Sequence, residues 1–227
     1  MTSLTVVFDL DGTLVDTAPD LIATLNLIFA EMDIPPLPYE QARPMIGGGV
    51  RPLIERGLGS KGLSIAPKDV DPIYARFLKH YGVHLADASR PFPGAIAALD
   101  ALAGAGMRLA VCTNKLEWLS IKLLKELDLS SRFAAICGQD TFGLAKPHPE
   151  LLRRTVQRAG GTLAATIMVG DSRADLELAR GAGVPMIGVD FGYTDVPLSE
   201  MKPDRMIKHF DQLADAIDSL AAVQLNN

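Results

Sequence analysis

From Leu4 to Phe8 the chain is apolar and β-branched with no alternation ("LTVVF"), and it ends at Asp9. That is the pattern of a strand buried on both faces of a parallel sheet. Beyond Pro19 the period changes: Leu21, Ile22, Leu25, Ile28, Phe29 and Met32 recur at helical spacing and stop before "DIPPLP". An Asp/Thr-rich stretch opens this helix. From there to about residue 90, "YEQARPMIG", "RPLIERGL" and "VDPIYARFLKHYGVHL" carry helical or irregular patterns and no convincing strand. This region reads as a helical insertion.

After "RPFPG" the pattern becomes a regular alternation. It predicts a helix over 93–104, a strand in "MRLAVCT", a helix over 117–127, a strand in "FAAICG", a helix over 149–159, a strand in "TIMVGD", a helix over 173–182 and a strand in "PMIGVD". A strand-like "DRMIKH" and an amphipathic "FDQLADAIDSLAAV" follow. Short strands alternating with helices imply an α/β fold, with a parallel sheet covered on both faces.

At 227 residues the chain can bury a core of its own. The net charge of −5, without any block of five or six basic residues, argues against nucleic acid or an anionic membrane as partner. Cys112 and Cys137 both lie within apolar strand-like runs, as expected of free thiols in a reducing cytoplasm. The N-terminus lacks a basic leader pattern, and no window approaches the ~18 apolar residues that a spanning helix needs. A cytoplasmic protein is expected.

In open parallel sheets, ligands bind outside the carboxyl ends of the strands. The polar residues standing there are Asp9 and Asp11, then Thr113 and Asn114, then Lys146, then Asp171 and Asp175. Four carboxylates face one lysine. Two unit charges about 4 Å apart repel by roughly 4 kcal/mol at an effective dielectric near 20, so such a group calls for a cation. All-oxygen ligands from few residues suit Mg²⁺ better than zinc.

A plainer reading makes these aspartates helix caps and turn formers. For Asp175, one turn into a helix, the two readings weigh equally. Asp9 and Asp11 together resist it, because a cap needs one carboxylate and Gly12 already makes the turn. Thr113 alone suits a cap, and His148 in "KPHP" suits a structural turn. His80, His84 and His209 lie apart and receive no role.

The order Asp-x-Asp-Gly-Thr, strand-Thr, Lys-Pro, Gly-Asp-Ser-x-x-Asp resembles the haloacid dehalogenase-like superfamily. "FDLDGTLVDTAPDL", "PFPGAIAAL", "VCTNK", "KPHPELL" and "VGDSRADLELARGAG" match its recurrent segments along the whole chain. Within it, "LAVCTNK", "AKPHP" and "FGYTDVPLSEMKPDRMI" look most like the bacterial phosphoglycolate phosphatases. Ala174 departs from the asparagine common there, and "IGGGV" is a variant of a loop tied to specificity. The resemblance implies a Rossmann-like core over 1–15 and 92–227 with an inserted helical cap over 16–91.

It also implies roles. Asp9 would be the nucleophile and Asp11 the general acid and base. Lys146 would bridge Asp9 and the phosphate, which Thr113 and Asn114 would help to hold. Mg²⁺ would be bound by Asp9, the Asp11 main-chain carbonyl, Asp171 and Asp175. The dehalogenase branch has no leaving alkoxide to protonate, so the second aspartate argues for a phosphatase. The expected substrate is a small anionic phosphate ester, 2-phosphoglycolate first, read by a contact near Gly48 to Arg51, in a monomer or homodimer. The rivals are a phosphatase or phosphomutase for a sugar or nucleotide monophosphate, and a phosphorylatable receiver module.

Overall fold

The computed structural model describes residues 3–194 and 196–224. Strands β1 (Thr5–Phe8), β4 (Arg108–Cys112), β5 (Ala135–Cys137), β6 (Thr166–Gly170), β7 (Met186–Val189) and β8 (Arg205–Ile207) form a parallel sheet in the order β5-β4-β1-β6-β7-β8. Helices α5 (Ala95–Gly104), α6 (Glu117–Glu126), α7 (Pro149–Arg158), α8 (Arg173–Ala182) and α9 (Leu213–Gln224) supply the crossovers and the C-terminal cover.

Side chains on a strand alternate between faces, and β1 shows it. Val6 and Phe8 join one apolar core, while Val7 joins a second with Ala110, Cys112 and Met168. Helices lie on both faces of a two-sided sheet, as the unbroken apolar runs predict, and each strand is shorter than the segment predicted for it. The expected final helix opens as a 3₁₀ turn over Phe210–Gln212 before α9 begins.

Between β1 and α5 the chain forms α1 (Ala18–Ala30), α2 (Tyr39–Ala42), α3 (Val50–Ser60) and α4 (Pro67–His84). Two short strands escape the sequence pattern: β2 (Val15–Asp16) and β3 (Arg90–Pro91) pair antiparallel where the chain enters and leaves these helices. Two residues carry no period to detect.

Entry and exit are also tied by polar contacts. Asp20 of α1 accepts hydrogen bonds from Ala88 N, Ser89 N and Ser89 Oγ at 2.6–3.1 Å. The Tyr193 hydroxyl accepts from Thr17 N (2.6 Å) and Ala18 N (3.0 Å) and donates to Asp16 Oδ1 (2.5 Å). No described helix is long and apolar enough to cross a membrane.

Candidate active site

β1 delivers Asp9 to the carboxyl edge of the sheet, where its Oδ1 accepts from Leu10 N at 2.7 Å. The chain then turns through Gly12, whose φ is +83°. A Cβ at Gly12 would stand 2.5 Å from Asp171 Oδ2, so this turn admits only glycine if Asp171 is to keep its place. Asp171 follows β6; it accepts from Thr13 Oγ1 (2.9 Å) and Tyr193 N (2.8 Å).

Asp175 carries both of the readings weighed for it. It is the third residue of α8 and closes a capping box with Ser172, which donates to it through N (3.1 Å) and Oγ (2.6 Å). Its other oxygen, Oδ1, lies 2.7 Å from Lys146 Nζ. Lys146 also reaches Asp9 Oδ1 at 2.8 Å, so one buried ammonium sits between two carboxylates. Asn114 holds that lysine by its main chain: Lys146 N donates to Asn114 Oδ1 (2.7 Å), and Asn114 Nδ2 donates to Lys146 O (3.3 Å).

Asp9, Asp171 and Asp175 each offer an oxygen within 4.8 Å of the others, and all three are buried. One lysine does not neutralise three such groups. Burial, and behind it the charges of Asp175 and Asp171, push the Asp9 carboxyl up to about 7 against the pull of Lys146. Burial and Asp175 push Asp171 up to about 6, opposed by the Tyr193 N–H and the Thr13 hydroxyl. Burial disfavours charge on Lys146 as well, but Asp175 and Asp9 outweigh it and hold its ammonium above the ordinary lysine range. A pocket of oxygens that resist ionisation fits a small hard cation, which would relieve the repulsion.

The expectation of a single lysine among the strand-end carboxylates is corrected here. Lys115, also buried, places Nζ 3.0 Å from Asp11 Oδ1 and 3.2 Å from Oδ2. Thr17 Oγ1 donates to the same Asp11 Oδ1 at 2.8 Å. The Asp11 carboxylate is therefore not one of the three clustered carboxylates. Lys115 stands inside the quoted "VCTNK", yet a lysine after a strand end has no local mark that separates it from a solvated one. Thr113 is buried at the end of β4; its N–H bonds Cys137 O (3.0 Å) and its Oγ1 accepts from Lys115 N (3.2 Å).

A cavity of about 700 Å³ opens above this group, lined below by Asp9, Asp11, Thr113 and Lys146 and above by the Ile46–Gly49 loop and Arg56. The loop comes so near that a Cβ on Gly49 would lie 3.2 Å from Asn114 O. Arg56 braces it by donating to Met45 O (2.7 Å) and Gly47 O (2.9 Å). Arg51, at the end of the Gly48–Arg51 stretch expected to meet a leaving group, pairs with Asp71 and lies over the Tyr74 ring at the surface.

The expected separation of the histidines is also corrected. His80 and His84, four apart on α4, stack with ring centroids 4.4 Å apart, because that spacing shares a helix face. His148 caps α7, accepting from Glu150 N at 3.2 Å.

Residues 6–189 match the sequence profile of the haloacid dehalogenase-like hydrolases. A phosphoglycolate phosphatase of Agrobacterium fabrum is 46% identical over 211 residues, covering 93% of this chain and 91% of that protein. One from Caulobacter vibrioides is 44% identical over 206 residues, 91% of this chain and 87% of its own. The crystal structure of a predicted phosphoglycolate phosphatase from Haemophilus somnus superposes with a TM-score of 0.86 at 26% identity, covering 95% of this chain and 98% of that one. This chain belongs to the haloacid dehalogenase-like hydrolases and is, within them, a phosphatase.

Proposed function

We propose that the chain hydrolyses a small phosphate monoester, 2-phosphoglycolate first among them, through an aspartyl-phosphate on Asp9 and with Mg²⁺ as cofactor. One observation carries this reading: two aspartates two residues apart have opposite surroundings. Asp9 lies among acidic partners beside Lys146, whereas Asp11 is held apart by Lys115 and Thr17. Carboxylates set in different environments suit different roles.

Asp9 Oδ1 takes the contacts from Leu10 N and Lys146, which leaves Oδ2 to attack phosphorus. A phosphorus–oxygen bond forms to Asp9 as the bond to the leaving oxygen breaks, and Asp11 gives that oxygen its proton. Water then attacks the aspartyl-phosphate, Asp11 takes the water's proton, and Asp9 leaves as carboxylate. Lys146 and Thr113 offer positive charge and a hydroxyl to the phosphoryl oxygens as charge spreads over them, while Asn114 keeps Lys146 in line. Bound by Asp9, Asp171, the Asp11 main-chain carbonyl and Asp175, Mg²⁺ would neutralise the acidic pocket and polarise a phosphoryl oxygen.

The substrate choice draws on the relatives named phosphoglycolate phosphatase, which match nearly the whole chain. The cavity favours a second reading: about 700 Å³ is ample for a two-carbon ester and would admit a sugar phosphate.

Phosphate release from a panel of esters, with and without Mg²⁺, separates these readings. 2-Phosphoglycolate is expected to have the highest kcat/KM, with activity lost in EDTA and restored by Mg²⁺. A sugar phosphate in first place transfers the assignment to the second reading. Full activity in chelator excludes the metal.

A further inference from the structure

Lys115 is buried between two elements far apart in the chain. Besides Asp11, its Nζ bonds the hydroxyl of Tyr81 at 2.9 Å and lies 4.6 Å from the centre of that ring. Tyr81 belongs to α4, one of the helices between β2 and β3, and is fully buried, packed on Phe77 with ring centroids 5.7 Å apart. Two neighbours reinforce the contact. Lys122 Nζ donates to Gly82 O at 2.6 Å, and Trp118 lies so close to Gly82 that a Cβ there would fall 2.9 Å from the indole. Residues 115, 118 and 122 thus grip one turn of α4.

The contacts on Asp11 are unequal. Oδ1 receives Thr17 and the shorter Lys115 contact, whereas Oδ2 receives only the longer one. Oδ2 is therefore the oxygen left to carry and exchange a proton while Oδ1 stays anchored. A carboxyl swung off this geometry would meet a leaving oxygen poorly, and misplacement by about 1 Å can cost about a hundredfold in rate.

We propose that Lys115 is a positioning residue for Asp11, and that Tyr81 sets Lys115, so that α4 helps to aim the proton-transfer group of the core. The inference rests on the phosphatase reading, in which Asp11 protonates the leaving oxygen. It assigns to α4 a part in the chemistry in addition to covering the substrate.

The test compares Tyr81→Phe, Lys115→Met and Lys115→Arg with the parent protein in Mg²⁺. It follows release of the leaving alcohol in a single turnover from an aryl phosphate and from an alkyl phosphate. An alkoxide needs its proton far more than a nitrophenolate does. The alkyl-to-aryl rate ratio is expected to fall about tenfold or more in Lys115→Met, the scale of a partly lost general acid, with a smaller fall in Tyr81→Phe.

Equal slowing on both esters would make Lys115 a packing residue and overturn the proposal. A fall for Lys115→Met with none for Tyr81→Phe would remove α4 from it. Should Lys115→Met fail to fold by circular dichroism, Lys115→Arg carries the same comparison, because a fork-shaped guanidinium cannot reproduce the pairing of a point charge. Absence of any ester hydrolysis by the parent protein would instead refute the phosphatase reading itself.

Discussion

Lys146 Nζ stands 2.8 Å from Asp9 Oδ1 and 2.7 Å from Asp175 Oδ1, a single buried cation holding two buried carboxylates together. Removing one partner from such a group leaves uncompensated charge in a low dielectric. Lys146→Met is therefore expected to lower kcat by about a hundredfold or more, the scale of a lost donor to a developing oxyanion. It should also cost about 3–5 kcal/mol of stability in the metal-free protein. Urea unfolding and steady-state kinetics on one preparation check both; a variant as stable as the parent refutes the electrostatic account.

The Asp9 carboxyl, pushed up to about 7 from an ordinary 3.8, gives stability a pH dependence of definite sign. Between those values the folded protein keeps a proton that the unfolded chain has lost. Contributed stability is thus greatest at low pH and falls as pH rises through the window. Asparagine imitates the protonated form. Metal-free Asp9→Asn is expected to melt near the parent's temperature at about pH 4, where the unfolded carboxyl is itself largely protonated, and well above it at pH 8, since 1 kcal/mol is worth roughly 2–4 °C at this size. Its turnover should be abolished at either pH. A melting gap that does not widen with pH contradicts the burial argument.

Gly12 combines a φ of +83° with a Cβ position 2.5 Å from Asp171 Oδ2. In Gly12→Ala the backbone is strained and Asp171 must shift away from its Thr13 and Tyr193 partners. The expected result is a loss of about 1–3 kcal/mol together with a rise in the Mg²⁺ concentration needed for half-maximal activity. Mg²⁺ titrations of activity alongside thermal melts measure the two effects. An alanine variant with an unaltered Mg²⁺ requirement would separate Gly12 from the acidic pocket.

Much of this site was legible along the chain because its parts are local. A strand buried on both faces must be apolar without alternation, and it must end where polar groups can meet solvent. Asp9, Thr113 and Asp171 all stand at such ends. The Ser172–Asp175 capping box is also a four-residue affair, visible in "GDSRAD" as readily as in the coordinates. By contrast, β2 and β3 are too short to show a period, and the four-residue spacing of His80 and His84 does not by itself say that their rings stack.

Hydrophobic period and turn chemistry, both properties of neighbouring residues, were enough to determine the α/β alternation and the polar segments at its strand ends. Only the tertiary structure decided who meets whom. The order β5-β4-β1-β6-β7-β8 sets β4 and β6 on either side of β1, bringing Thr113 and Asp171 to flank Asp9. It also closes the gap of 104 residues between Lys115 and Asp11, while the packing of α4 on the residues after β4 closes that of 34 between Lys115 and Tyr81. An ion pair depends on distance through space and on the water excluded around it, and neither is written in the spacing of residues along a chain.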